Sequence, residues 1–120
     1  MVVKKSEKSA GLLSNDIVHI KAAILGSVTG DIIKKIILFG SYAYGKPNKN
    51  SDIDLCVIVA DQKNSRDAYL NIALALFNHK ITLTDLLVYR EKDFVSGIQK
   101  NERGIESVIN SSGKVLYVQD

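Results

Sequence analysis

The apolar positions change period several times along this chain, and each change marks an element. After Ser14, which can serve as an N-cap, Ile17, Ile20, Ile24 and Val28 recur at helical spacing, with Leu13, Val18 and Leu25 flanking the stripe. Gly30 ends that predicted helix. Ile36-Ile37-Leu38-Phe39 is too short for a helix and stops at Gly40, so it reads as a buried strand. Residues 40–51 are polar and turn-rich, holding two of the eight glycines and the single proline, Pro47. Asp52 to Ala60 is a second strand, polar at its start and apolar through its body. A loop over residues 61–65 leads to a helix from Arg66 to Lys80, with Tyr69, Ile72, Ala73, Leu76 and Phe77 assigned to one face. His79 and Lys80 fall in its last turn, where cationic groups suit the helix dipole.

Ile81 to Tyr89 is a third strand, β-branched and apolar except for Asp85. Asp93 is placed to cap a helix carrying Phe94 and Ile98, and Ile105, Val108 and Ile109 form another short helical stretch. A turn over Ser111 to Gly113 precedes the last strand, Val115 to Val118. The order α-β-β-α-β-α-α-β predicts an α/β fold: a small mixed β-sheet with helices packed on it. Residues 1–13 lack periodicity and read as a flexible or loosely docked lead-in, and residues 14–120 as one domain.

Neighbouring strands usually pair, so strands 36–39 and 52–60 are expected to run antiparallel. Gly40-Ser41 and Asp52-Asp54 then meet at one sheet edge. Strand 81–89 follows a helix and is expected parallel to strand 52–60 through a right-handed crossover. Asp85 would then lie alongside Asp54, in a register that the sequence leaves open.

Composition narrows the partners. The 120 residues are 46% hydrophobic and 24% charged, ordinary for a globular chain that can bury a core without staples. A net charge of +3 and a pI of about 9.0 favour anionic ligands such as nucleotides. Sixteen basic against thirteen acidic residues make no nucleic-acid stripe. The single cysteine, Cys56, excludes an intramolecular disulfide and sits among apolar neighbours as a buried thiol. No apolar run approaches the roughly 20 residues of a membrane helix. The start of the chain has no signal-peptide pattern, so a cytoplasmic location is expected.

Strand alternation puts Asp52 and Asp54 on one face with Ile53 on the other. Two carboxylates so close repel unless cations compensate them, and Mg²⁺ favours such oxygen ligands, shared with substrate phosphates. Asp85 as a third carboxylate would complete a site for two metals about 4 Å apart, suited to in-line displacement at phosphorus. It could also take a proton from an attacking hydroxyl. Gly40 lets backbone approach a phosphate, and Ser41 adds a hydroxyl and an N–H. Lys46 and Lys49 read as solvated loop charges, and Tyr42 and Tyr44 as equally suited to base stacking or packing. His19 and His79 lack metal-ligand companions and are expected at the surface.

Gly40-Ser-Tyr-Ala-Tyr-Gly45 followed by Ser51-Asp-Ile-Asp-Leu55 resembles the signature of the minimal nucleotidyltransferases of the polymerase-beta-like superfamily. That pattern is Gly-Ser, ten residues, then Asp-x-Asp, and residues 42–51 fill the interval. Thr84-Asp85-Leu-Leu-Val88 is similar to the family's third-carboxylate strand, and Gly113-Lys-Val-Leu-Tyr117 to its usual ending. The resemblance covers roughly residues 14–118. It implies the polymerase-beta-like nucleotidyltransferase fold and transfer of a nucleoside monophosphate, AMP from ATP first among them, to a hydroxyl with release of pyrophosphate. It further implies Asp52, Asp54 and Asp85 as catalytic and metal ligands for two Mg²⁺, with Gly40 and Ser41 on the β- and γ-phosphates of the NTP. Tyr44 stands where many members carry Arg, so a guanidinium contact to phosphate is lost. Small members of the family often accompany a helical HEPN protein and act as antitoxins that adenylylate a tyrosine of that partner, which makes a toxin–antitoxin pair the implied context. The rival expectation is a non-catalytic module that masks a partner's surface. Acceptor, base preference and oligomeric state are open at this level.

Overall fold

A computed structural model of the chain describes residues 14–28, 31–40, 53–81 and 83–120. The expected lead-in, Ser41 and Asp52 lie outside the described residues. The elements run α1 (Ser14–Leu25), β1 (Ile33–Phe39), β2 (Ile53–Val59), α2 (Ser65–Asn78), β3 (Leu83–Arg90), α3 (Glu91–Lys100), α4 (Ile105–Ser112) and β4 (Lys114–Val118). The strands form one sheet in the order β3-β2-β1-β4, with β1 antiparallel to β2 and β4 and with β2 parallel to β3. This is the mixed α/β sheet that the alternation of periods predicts, and the parallel β2–α2–β3 unit is the expected crossover.

Apolar side chains alternate to two covered faces. Ile36, Leu38, Leu55, Val57 and Val59 pack with Ile20, Ala23 and Ile24 of α1 and Ala68, Ile72 and Leu76 of α2. Ile37, Phe39, Cys56 and Ile58 pack with Phe94 of α3 and Ile109 of α4. The central strands are therefore apolar on both sides, which explains their continuous runs. Burying Ile20 and Ile24 contributes on the order of 2 kcal/mol each. That outweighs the few tenths of a kcal/mol which each β-branched residue costs α1 in helix propensity. Cys56 is buried as expected, and burial, with Glu106 adding a smaller repulsion, pushes its thiol up to about 12. It stays protonated and inert at neutral pH.

Several boundaries differ from the sequence reading, and four of them have a visible local reason. Helix α1 stops at Leu25 and not at Gly30, because Gly26 follows and Ser27 turns its hydroxyl onto the Ile24 carbonyl at 2.5 Å. Strand β1 begins at Ile33, earlier than its apolar run. Lys34 belongs to the ladder: its carbonyl accepts the Gln119 N–H at 2.9 Å and its ammonium donates to Gln119 Oε1 at 2.7 Å. Helix α2 begins at Ser65, with Asn64 as the cap accepting the Arg66 and Asp67 N–H groups at 2.9 and 3.1 Å. Helix α3 begins two residues before Asp93, whose carboxylate takes the Arg90 guanidinium at 2.7 Å instead of capping. The face assigned to α2 is also corrected. The helix buries Ala68, Ile72 and Leu76, while Tyr69 and Phe77 are exposed.

Two tertiary contacts complete the layer over Phe94. Gly97, inside α3, has the Glu106 carboxyl carbon 2.7 Å from where a Cβ would stand, so any side chain there would displace the Glu106 carboxylate. Glu106 in turn accepts the Tyr89 hydroxyl at 2.8 Å, and the Tyr89 ring meets Phe94 edge-on at 5.3 Å. The second contact satisfies the start of α3 from a distance: Asp61 Oδ1, in the loop after β2, accepts the Lys92 N–H at 2.9 Å. Asp61→Ala is expected to lower the unfolding free energy by about 1 kcal/mol. Urea denaturation reads this directly, and a change within a few tenths would mean that water caps the helix equally well.

Candidate active site

The site is built where β1 ends and β2 begins. Phe39, the last residue of β1, pairs with Asp54, and Gly40 follows it out of the sheet. On the other side of β2, Asp54 pairs with Asp85 of β3. The two carboxylate-bearing residues are thus adjacent across a parallel ladder, where strands lie about 4.8 Å apart.

That register depends on one irregularity. Ile53 pairs with Leu83, so a regular ladder would put Thr84 opposite Asp54. The register shifts between Ile53 and Asp54, and Asp85 takes that place. Because side chains alternate, a slip of one residue also decides the face. Leu87 and Tyr89 pack with the Phe94 cluster, and Leu86 and Val88 with the opposite one. Alternation therefore puts Asp85 on the same face as Asp54, just beyond Cys56 and Leu87. With the unshifted register it would share the face of Leu55.

Gly40 is coupled to Asp54 directly. Its φ is +76°, a left-handed conformation that side chains rarely adopt. A Cβ at Gly40 would run into Oδ2 of Asp54. The sequence assigns this glycine to close approach of a phosphate, and the described backbone makes its close approach to a carboxylate. The Asp54 Oδ1 is buried, whereas Asp85 is exposed. One carboxylate therefore stands at the floor of the site and the other at its solvent edge, over the apolar base of Phe39 and Cys56.

Of the five residues expected in the site, the structure brings Gly40, Asp54 and Asp85 together, and Ser41 and Asp52 lie outside the described residues. Among the described residues no three carboxylate, imidazole or thiol groups gather. The donors that do meet are hard oxygens on one face, the chemistry suited to a divalent cation. His19 and His79 are at the surface as expected, His79 with Nδ1 2.8 Å from the Ala75 carbonyl. A cavity of about 470 Å³ lies at the far end of the sheet, among Lys34, Lys35, Glu91 and Asp120, and includes none of the site residues.

Residues 27–120 match the family model described as "Polymerase beta, Nucleotidyltransferase". The chain belongs to this nucleotidyltransferase family. A solved structure described as a "putative nucleotidyltransferase" from Sulfolobus solfataricus superposes with a TM-score of 0.61 over 98% of this chain and 86% of that one. At 14% identity the likeness shows a shared fold. No curated protein matches the chain. Membership in the nucleotidyltransferase family supports nucleotidyl transfer as the general chemistry, carried on a sheet whose β1–β2 edge and β3 supply the described acidic residues. No helix among the described residues is long and apolar enough to cross a membrane.

Proposed function

We propose that this chain transfers AMP from ATP to a protein hydroxyl, the tyrosine of a helical HEPN-type partner, as the antitoxin of a toxin–antitoxin pair. The observation that carries the catalytic part is the pairing of Asp54 with Asp85 beside the left-handed Gly40. Asp52, Asp54 and Asp85 would hold divalent cations, two Mg²⁺ in this reading. The cations, when bound, neutralise charge on the phosphates and polarise the α-phosphorus. Gly40 and Ser41 hold the β- and γ-phosphates through the backbone that leaves β1. Asp85, whose side chain is exposed, binds one of the cations or takes the proton of the acceptor hydroxyl. The acceptor oxygen forms its bond to the α-phosphorus as the bond to the β-phosphate breaks, and pyrophosphate leaves. Most of the rate comes from positioning and charge neutralisation, since the protein forms no covalent intermediate. A cytoplasmic setting, where ATP is abundant, accords with this reading.

The test is incubation of the full chain with Mg²⁺ and ATP labelled at the α-phosphate, with and without the product of a neighbouring gene. Transfer of label to that product, abolished in Asp52→Ala and Asp54→Ala, is the expected result. Neutralisation of the partner that survives both substitutions would instead establish a masking module.

A further inference from the structure

Helix α4 crosses the catalytic face of the sheet, and its two flanks differ in chemistry. Ile109 turns to the sheet and packs with Ile37, Phe39 and Cys56. Glu106, Ser107 and Asn110 turn toward α3. Glu106 meets Gly97, the Ser107 hydroxyl donates to the Asn101 carbonyl at 2.8 Å, and Asn110 lines the far cavity with Phe94 and Ile98. At about 100° per residue, Ile105, Val108 and Ser112 are centred roughly 170° from those three, on the flank turned away from α3. Helix α3 and the cavity occupy the far half of the face, at Lys35, Ile58 and Val118, whereas α4 ends at Gly113 against Ile37 and Leu38. The second flank therefore looks toward Asp54 and Asp85. Asp54 stands two residues beyond Cys56 on β2, roughly 7 Å along the strand. Ile105 and Val108 are exposed at 49% and 41%, so among the described residues they form an apolar shelf beside the acidic pair.

We propose that Ile105 and Val108 are the nucleobase subsite, the shelf on which the base of a bound nucleoside triphosphate lies. The inference rests on the reading of the site given above, with the β- and γ-phosphates at Gly40 and the α-phosphate at Asp54. In-line displacement puts the acceptor on the line from Gly40 through the α-phosphorus, and the paired row Phe39, Asp54, Asp85 carries that line to Asp85. The ester oxygen of the ribose leaves the phosphorus at roughly a right angle to it. Down the strands, that direction passes over Cys56 to Val108 and Ile105, a span that one ribose covers. Aliphatic carbons take the face of a base without reading its hydrogen-bonding edge. Affinity therefore follows ring size: ATP and GTP are expected to bind alike, and UTP about fivefold more weakly.

Isothermal titration of the full chain with Mg²⁺ and α,β-methylene ATP, and separately with Mg²⁺ and inorganic tripolyphosphate, tests this. The analogue is expected to bind about tenfold or more tightly than tripolyphosphate. Val108→Asn and Ile105→Ser, checked for intact fold by circular dichroism, are each expected to weaken the analogue about fivefold, with tripolyphosphate within about twofold of the wild type. Val108→Ile is expected to hold or raise the affinity for the analogue, a response that a purely structural role would not produce. Equal affinity of the wild type for the two ligands would overturn the proposal. So would variants that bind the analogue as the wild type does, leaving the shelf to the acceptor, or variants that lose both ligands in parallel. A wild type that binds neither ligand would overturn the reading of the site itself, and the subsite with it.

Discussion

Asp54→Asn is expected to lower kcat for nucleotidyl transfer by about a thousandfold or more while leaving the melting temperature unchanged or raised. The two readouts move apart for one physical reason. In the folded chain Asp54 and Asp85 are neighbours on one face of the sheet, and their negative charges repel. Asparagine keeps the shape of the side chain beside Gly40 and removes one of those charges. The relieved repulsion offsets what the folded chain loses at this carboxylate. The same substitution removes an oxygen ligand whose full charge the phosphates' counter-ions require. Thermal unfolding with and without Mg²⁺ and ATP completes the measurement, because the wild type is expected to be stabilised by the pair and the variant is not. Activity within tenfold of the wild type would show that transfer does not use this carboxylate.

Gly40→Ala is expected to be the most damaging single change of backbone, costing on the order of 2 kcal/mol in stability and about a hundredfold in activity. A left-handed φ of +76° penalises any Cβ, and this one would also displace the Asp54 carboxylate. The second part of the cost distinguishes the site from an ordinary turn. Unfolding of Gly40→Ala, Asp54→Gly and the double variant forms a cycle. The double variant is expected to be more stable than the sum of the single losses predicts, since removing the Asp54 side chain vacates the space the new methyl needs. Additive losses would mean that Gly40 serves the turn alone.

These two positions also show how far the chain could be read in advance. Gly40 stands at the end of an apolar run and Asp54 near the start of another, and antiparallel pairing of sequence neighbours was enough to expect them at one edge. Alternation was enough to give Asp54 the face opposite Ile53. Helix α2 was harder, because Leu70, Leu74 and Phe77 are as apolar as Ile72 and Leu76. Periodicity places Ile72 and Leu76 on the buried side, but a helix apolar on two sides has no period that sets the edges of that face, so Tyr69 and Phe77 are drawn into it and Ala68 is left out. Lys34 hid the start of β1 for the converse reason: a lysine in a ladder looks like a loop residue until its partner, Gln119, is known. The link from Asp61 to Lys92 joins residues 31 apart and leaves no local trace.

What the sequence by itself determined was the kind and order of elements, the two-faced burial of β1 and β2, and the meeting of Gly40 with the acidic start of β2. Each follows from interactions within an element or between adjacent ones, so periodicity and turn chemistry encode it. Only the tertiary structure decided that Asp85 joins them. That outcome rests on the register shift between Ile53 and Asp54, where a slip of one residue would have turned Asp85 to the opposite face. Register between strands joined through a crossover helix is set by packing against both layers at once, and no pattern within either strand contains it.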